Sequence, residues 1–339
     1  MADLDYRYLG RSALKVSPLC LGAMMFGGET EEPVAKRIID KARDAGINFI
    51  DTADVYAGGK SEEVVGRSIR DGRDYWVVAT KFGVGGGAGP HATSQSRKWV
   101  VEATEASLKR LGTDYIDIQY FHRAIPGAPL EEGLRAIADL IAQGKLRYYG
   151  LSNFKAWQIA EICRLADRIG MDRPVVSQPL YNITNRQAEV EQLPAAQFYG
   201  LGVCPYSPLA RGVLSGKYAP NQAPPQDSRA ARGDARIQQT EWRDESIEIA
   251  QKIGQRAADK GITTIDFAVA WVLRNATISA PIAGPRTEAQ WDAYMKALDA
   301  RLDAEDEAFI DALVPPGHAS TPGYTDPVFP VEGRNALRP

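Results

Sequence analysis

Cysteine is scarce in this chain. The 339 residues hold three, Cys20, Cys163 and Cys204, each far from the others. That spacing argues against a disulfide framework and suits a reducing compartment. Histidine is as rare, at His91, His122 and His318, and no His/Asp pattern at ligand spacing marks a metal site, so none is expected. No apolar run reaches the ~18 residues of a membrane span. The opening MADLDYRYLG does not read as a secretory signal. The expected compartment is therefore the cytoplasm, with no membrane partner. Net charge is −3, and no Lys/Arg run is interleaved with aromatics, which argues against a nucleic-acid surface. Also missing is the GxGxxG turn of a doubly wound dinucleotide-binding sheet: residues 21–28, LGAMMFGG, have glycines at the wrong spacing.

What is present is one rhythm, repeated. After a hairpin expected over residues 6–16, apolar strand-like runs fall at 17–23, 49–50, 75–82, 115–122, 146–152, 175–180, 203–207 and 278–282. Helical patterns separate most of them, at about 31–45, from Ser61, 95–111, 244–260, 264–274 and 287–298. Two further stripes are Leu130, Leu134, Ile137, Ile141 and Ile159, Ile162, Ala166, Ile169, both at helical spacing. Eight strands alternating with helices and no shift in composition predict an α/β fold: one (β/α)8 barrel domain over residues 1–339, with its core at about 16–313. A long irregular segment at about 209–239 and a tail at 314–339, either disordered or laid over the barrel as a lid, complete the expectation.

The stretch from Asn48 to Lys81 organises the rest. Asp51 ends one short strand, Tyr56 follows in a loop marked by Gly58 and Gly59, and Lys81 closes the next strand. In a parallel α/β fold those positions share one edge of the sheet, where sites are built. A tyrosine is a poor acid at neutral pH, its unperturbed pKa being about 10. A neighbouring ammonium favours the phenolate and should lower that value, while a carboxylate keeps the amine charged and oriented. The trio reads as a general acid tuned towards working pH.

These motifs resemble those of the aldo-keto reductases, and the likeness runs through nearly the whole chain. Residues 49–56, FIDTADVY, resemble the family's signature, Lys81 its lysine and His122 its histidine at successive strand ends. Residues 150–154 (GLSNF), Gln178, 206–212 (YSPLARG) and 284–290 (GPRTEAQ) resemble its cofactor stations in order. The long segment, with residues 215–218 (SGKY) and Ser228-Arg229, is similar to a branch that includes bacterial sugar and xenobiotic reductases and potassium-channel β subunits.

The resemblance implies an NADPH-dependent carbonyl reductase, with NADH a weaker alternative and a small carbonyl or alcohol compound as substrate. Tyr56 would be the acid, Lys81 and Asp51 its support, and a neutral His122 would orient the carbonyl oxygen. Ser152, Asn153 and Gln178 would hold the carboxamide, and Tyr206 would stack on the nicotinamide. Gly22, Ala23, Met24 and Asp51 would also bind the cofactor. Ser207, Leu209, Arg211 and Lys217 would cover the pyrophosphate, with Arg229 closing over it, and Pro208, Ala210 and Gly212 would also bind the cofactor. Gly284, Arg286 and Gln290 would take the adenosine end, Arg286 on the 2′-phosphate. Ala293 and Tyr294 depart from a frequent Glu and Asn there, and Ala23 and Met24 from a frequent Thr and a frequent Trp or Met. The branch contains monomers, dimers, tetramers and octamers, so a homo-oligomer is an open alternative.

Other residues read less sharply. His91 and His318 read as solvated, Cys204 as a packed small hydrophobe, and Trp99 and Trp157 as packing or surface residues. Trp242 either caps the site or anchors the following helix. Lys60 and Lys145 read as solvated charge, and Arg211 and Arg229 have that alternative too. Arg123 either touches substrate or forms a rim salt bridge. A regulatory subunit resembling the channel β subunits is the rival function, although those proteins commonly carry Asn where His122 stands. A barrel hydrolase or metal-dependent lyase is a third, weaker reading.

Overall fold

The chain enters as an antiparallel hairpin, β1 (Arg7–Tyr8) and β2 (Lys15–Val16). The computed structural model describes residues 4–85 and 94–331. The hairpin's turn presses on the N-terminal end of the sheet that follows. A methyl added at Gly10 would lie 2.5 Å from the Gly200 carbonyl oxygen, so only glycine allows that approach.

Eight parallel strands follow: β3 (Cys20–Gly22), β4 (Phe49–Asp51), β5 (Val77–Phe82), β6 (Ile116–Phe121), β7 (Leu146–Ser152), β8 (Val176–Gln178), β9 (Gly202–Val203) and β10 (Ile282–Ala283). They pair in chain order, and β10 pairs with β3. The remaining seam is closed by Ser279 N donating to Val203 O at 2.8 Å and Ile282 N donating to Pro205 O at 2.9 Å. The sheet is thus the expected (β/α)8 barrel. Its last two ladders are shorter than expected because Pro205 and Pro281 bring no amide hydrogen. Tyr206 and Ile278 make only isolated bridges, to Leu180 and Val203.

Helices α1 (Glu32–Asp44), α2 (Lys60–Ile69), α3 (Arg97–Leu111), α4 (Leu130–Ala142), α5 (Ala156–Ile169), α6 (Gln192–Tyr199), α7 (Ala235–Thr240), α8 (Asp244–Asp259), α9 (Thr264–Arg274), α10 (Glu288–Lys296) and α11 (Ala304–Leu313) accompany the strands. The two stripes read on α4 and α5 bury Leu134, Ile137, Ile159, Ile162 and Ala166, as their spacing requires. Ser61 does not cap α2. The helix begins one residue earlier, after a left-handed Gly59, and the Ser61 hydroxyl is buried between Thr52 Oγ1 and Ala23 O, each at 2.7 Å. Helices α6 and α11 were not anticipated. Each buries only two residues fully, Leu193 and Ala196 in one and Asp306 and Ile310 in the other, so neither shows an apolar stripe. The segment expected to be irregular at 209–239 contains a 3₁₀ turn over Ala210–Ser215 and the start of α7, whose cap is Asp234.

Two apolar layers result. Outward strand residues and the helices form the larger one. Inside the barrel, Phe49, Val77, Ala79, Ile118, Tyr120, Val176 and Cys204 pack with Leu9 and Val16 of the hairpin. Period-two alternation continues these rows upward. Phe49 leads to Asp51, Ala79 to Lys81, Tyr120 to His122, Val176 to Gln178 and Cys204 to Tyr206. The rows are apolar low in the barrel and polar at its C-terminal rim. Among the described residues no helix is long and apolar enough to cross a membrane.

The tail, as far as Val331, lies over the barrel rather than away from it. Ser320 N donates to Thr184 O at 2.9 Å, Arg186 N donates to His318 O at 2.8 Å, and Arg236 binds Asp326 at 2.6 Å. The arginine of α8's N-terminus, Arg243, lies 3.9 Å over the Tyr324 ring.

Candidate active site

A cavity of about 730 Å3 opens at the C-terminal rim. At its floor the charges are internally matched. Lys81, fully buried, donates to Asp51 Oδ1 at 2.5 Å, to Thr52 O at 2.7 Å and to Tyr56 Oη at 3.3 Å. The other Asp51 oxygen accepts from Gln178 Nε2 at 3.0 Å. The Tyr56 and His122 rings meet edge to face, centroids 6.0 Å apart. Asp51, Tyr56 and His122 line the cavity, and Lys81 lies beneath them.

The electrostatics differ from expectation in one respect. Burial raises the Tyr56 pKa above its ordinary value, and the opposing pull of Lys81 does not overcome it. The phenol is therefore a firmly protonated acid. Burial pulls the Lys81 pKa down, but Asp51 and then Tyr56 raise it above the ordinary lysine value, so it stays cationic. Burial, then Lys81 and Arg123, push His122 well below the usual histidine range, so its ring is neutral as expected.

Of the other residues expected at the site, Gly22, Met24, Ser152, Asn153, Gln178, Tyr206, Ser207, Pro208, Leu209, Arg211, Gly212, Lys217, Arg229, Gly284, Arg286 and Gln290 all border the cavity. Ala23 and Ala210 do not; both are fully buried and serve packing. Asn153 is held at φ 58° and is well occupied by its neighbours. Its side chain donates to His122 O at 3.0 Å and accepts from Tyr206 Oη at 2.8 Å. Ser207, Ala210 and Arg211 also have positive φ, so the turn after β9 is strained where it meets the cavity. Met25, Val84, Arg232, Arg236, Val328 and Phe329 also border the cavity; they lie in loops after the strands and in the tail, where specificity is expected, but none was singled out as a site residue. Arg232 lay within the segment read as irregular, and nothing in its local sequence marks it. The tail residues could be assigned only once their path was known.

The cations gather at one end. Lys217 is lowered by burial and then by Arg286, Arg229 and Arg232, and Arg229 is lowered chiefly by burial. Glu29 answers part of this charge, binding Arg232 at 2.5 Å and Arg286 at 3.7 Å. Arg229 lies 3.8 Å from Asp234, and Arg211 hydrogen-bonds Thr240 at 3.2 Å, so neither is merely solvated. Cations crowded at one end of a cavity suit a polyanionic ligand such as a dinucleotide's phosphates.

Several uncertain readings are settled. Trp242 stacks edge-on against Tyr218 at 4.8 Å and does not border the cavity, so it anchors the loop. Cys204 is packed in the barrel interior. Trp99 is buried and Trp157 exposed. Lys145 is not free charge, since it pairs with Glu105. His91 falls outside the described residues.

Asp54, two residues before Tyr56, is 4% exposed, and neither carboxylate oxygen has a hydrogen-bond partner among the described residues. Its neighbour Glu62 takes the available donors, Thr80 Oγ1 at 2.5 Å and Arg110 Nε at 2.6 Å. Burial first, and Glu62 next, push the Asp54 carboxyl up to about 7. The folded state therefore holds a proton that the unfolded chain releases near the ordinary carboxyl pKa. Stability from this group is present at low pH and lost as pH rises from that value through about 7. Asp54→Asn is expected to raise stability at pH 8 by on the order of 3 kcal/mol and to leave it nearly unchanged at pH 4. Thermal melts at both pH values check this; equal effects at the two would refute it.

An acid kept protonated by burial thus stands beside a cation-edged cavity at the C-terminal rim of a (β/α)8 barrel. Residues 18–315 match the model of the Aldo/keto reductase family, and the chain belongs to that family. A probable voltage-gated potassium channel subunit beta of Oryza sativa subsp. japonica is 39% identical over 301 residues, 87% of this chain and 92% of that one. Its counterpart in Arabidopsis thaliana matches at the same identity and coverage. An uncharacterized oxidoreductase of Bacillus subtilis (strain 168) is 35% identical over 331 residues, 94% of this chain and 98% of that one.

Proposed function

We propose that this protein is an NADPH-dependent carbonyl reductase of the cytoplasm, acting reversibly on aldehydes or ketones. The observation that carries this reading is the convergence of Asp51, Lys81, Tyr56 and His122 at the floor of a cavity whose far end gathers Lys217, Arg229, Arg232 and Arg286. Three buried, unpaired cysteines agree with a reducing compartment.

Bound NADPH supplies the hydride. The chain's own part is positioning and proton supply. Ser152, Asn153 and Gln178 border the nicotinamide end, and Tyr206, hydrogen-bonded to Asn153, presents its ring as a fixed stacking surface. Tyr56 gives its phenolic proton to the carbonyl oxygen as the oxygen gains charge. Lys81, kept cationic by Asp51, stabilises the phenolate left behind. His122, being neutral, donates one N–H to the same oxygen and fixes its position. Arg286, whose Nη2 donates to Asp227 O at 3.0 Å, would take the 2′-phosphate, to which a planar guanidinium is suited.

Titration of nicotinamide fluorescence tests the cofactor. NADPH is expected to bind at least about tenfold more tightly than NADH, and Arg286→Met to remove most of that difference, in line with one charge-assisted contact. No binding of either nucleotide would sink the proposal. The names of the plant relatives favour a second reading, a cofactor-binding subunit of a channel. Tight NADPH binding without turnover across a broad carbonyl panel would select it.

A further inference from the structure

Arg123 is a cation at the rim that the nucleotide does not account for. It follows β6, directly after His122, and borders the same cavity. In the closed ring of eight strands, β6 lies opposite β10, the strand that delivers Arg286. Arg211 and Lys217 follow β9, three strands away from β6. The guanidinium of Arg123 therefore stands on the wall across from the phosphate-binding end, beside the reacting carbonyl.

Its local state is unlike that of the other arginines lining the cavity. Arg229, Arg232, Arg236 and Arg286 each have a carboxylate within 4 Å, and Arg211 has the Thr240 hydroxyl. Arg123 has neither among the described residues, and its Nε is buried without a hydrogen-bond partner. Its backbone is anchored, Gln95 Nε2 donating to Arg123 O at 2.8 Å, so the side chain springs from a fixed point. Its charge also reaches His122, where it joins burial and Lys81 in keeping the ring neutral. Val84, which follows the neighbouring strand β5, adds an apolar surface to this wall. A cation whose Nε is withdrawn from water, with no counter-ion among the described residues, is costly until an anion pairs with it.

We propose that Arg123 pairs with an anionic group of the substrate. Resting on the reductase reading, this narrows the substrate class to carbonyl compounds that also carry a carboxylate or phosphate. The carbonyl oxygen lies between Tyr56 and His122 while the anion meets the guanidinium, bidentately where geometry allows. The anion remains at a distance from the reacting carbon, so the pairing acts on binding more than on the chemical step.

The test compares 4-carboxybenzaldehyde with its neutral methyl ester in NADPH-driven turnover. Wild-type protein is expected to favour the acid in kcat/KM by at least about tenfold, the value of one charge-assisted pair. Arg123→Gln should erase that preference through KM for the acid, leaving the ester within about threefold of wild type, a change too small to count as a lost contact. Arg123→Lys, which keeps the charge but not the fork, should retain part of the preference. Equal kcat/KM for acid and ester in the wild type, or an unchanged ratio in Arg123→Gln, overturns the proposal. Turnover of neither compound defeats the reductase reading itself. Calorimetric binding of 4-carboxybenzaldehyde to NADP+-loaded protein then still decides on Arg123: binding weakened in Arg123→Gln supports it, and binding unchanged overturns it.

Discussion

Tyr56→Phe is expected to lower kcat for aldehyde reduction by about 10²- to 10⁴-fold, the range of a positioned general acid. NADPH affinity should stay within about twofold, an energy well under 1 kcal/mol. The substitution deletes one oxygen and keeps the ring that meets His122 edge to face. Lys81 loses only its longest contact, 3.3 Å to Tyr56 Oη, and keeps Asp51 and Thr52 O. The fold should therefore be unaffected, and the loss is chemical. Because burial raises the Tyr56 pKa, the phenol remains protonated across neutral pH, and deprotonation of Tyr56 in the free protein should not limit the rate between pH 6 and 9. Steady-state kinetics with 4-nitrobenzaldehyde, paired with the fluorescence titration, check both halves. A Tyr56→Phe variant with wild-type kcat would remove the proton-donor assignment while leaving the cofactor site intact.

Lys81→Met should cost stability as well as activity. It leaves the Asp51 carboxylate, 3% exposed, with Gln178 as its remaining hydrogen-bond donor. Breaking a buried pair by removing one partner typically costs about 3–5 kcal/mol. A fall in Tm of roughly 5–10 °C is expected for a domain of this size. Lys81 has its pKa raised in the fold, so its contribution is complete below the ordinary lysine value and fades only as pH rises through the higher folded one. The loss on mutation should therefore be the same at pH 6 and pH 8. Adding Asp51→Asn to Lys81→Met should recover most of the stability and none of the activity, because the uncompensated charge is gone while the acid's support is still missing. Thermal melts on the two single variants and the double variant measure the coupling. Additive effects would mean that the ion pair is not shielded from water.

How much was legible in the chain follows from the range of the signals. The barrel could be read because its strands and most of its helices are local patterns of period two and 3.6, and α4 and α5 bury the faces their stripes announced. Helices α6 and α11 escaped because each buries only two residues fully, and no stripe survives at that level. Strands β9 and β10, expected at 203–207 and 278–282, form at Gly202–Val203 and Ile282–Ala283 instead, because proline reads as apolar yet cannot donate to a ladder.

The site divides along the same line. Asp51, Tyr56 and Lys81 could be read from their places at, or just after, two successive strand ends, since a closed parallel barrel brings all its C-terminal ends to one rim. His122 entered only through the likeness to the aldo-keto reductases. The tertiary structure decided what depends on who surrounds whom. Burial outweighs Lys81 in setting the acidity of Tyr56, Glu62 takes the donors that Asp54 would use, and the tail's Val328 and Phe329 join the cavity wall. It also left Arg123 without a carboxylate among the described residues, where sequence allowed either a salt bridge or a substrate contact. The physical reason is that periodicity records how each residue relates to its own strand or helix. Desolvation and charge pairing are set by neighbours from distant parts of the chain, and those meet only when the barrel closes.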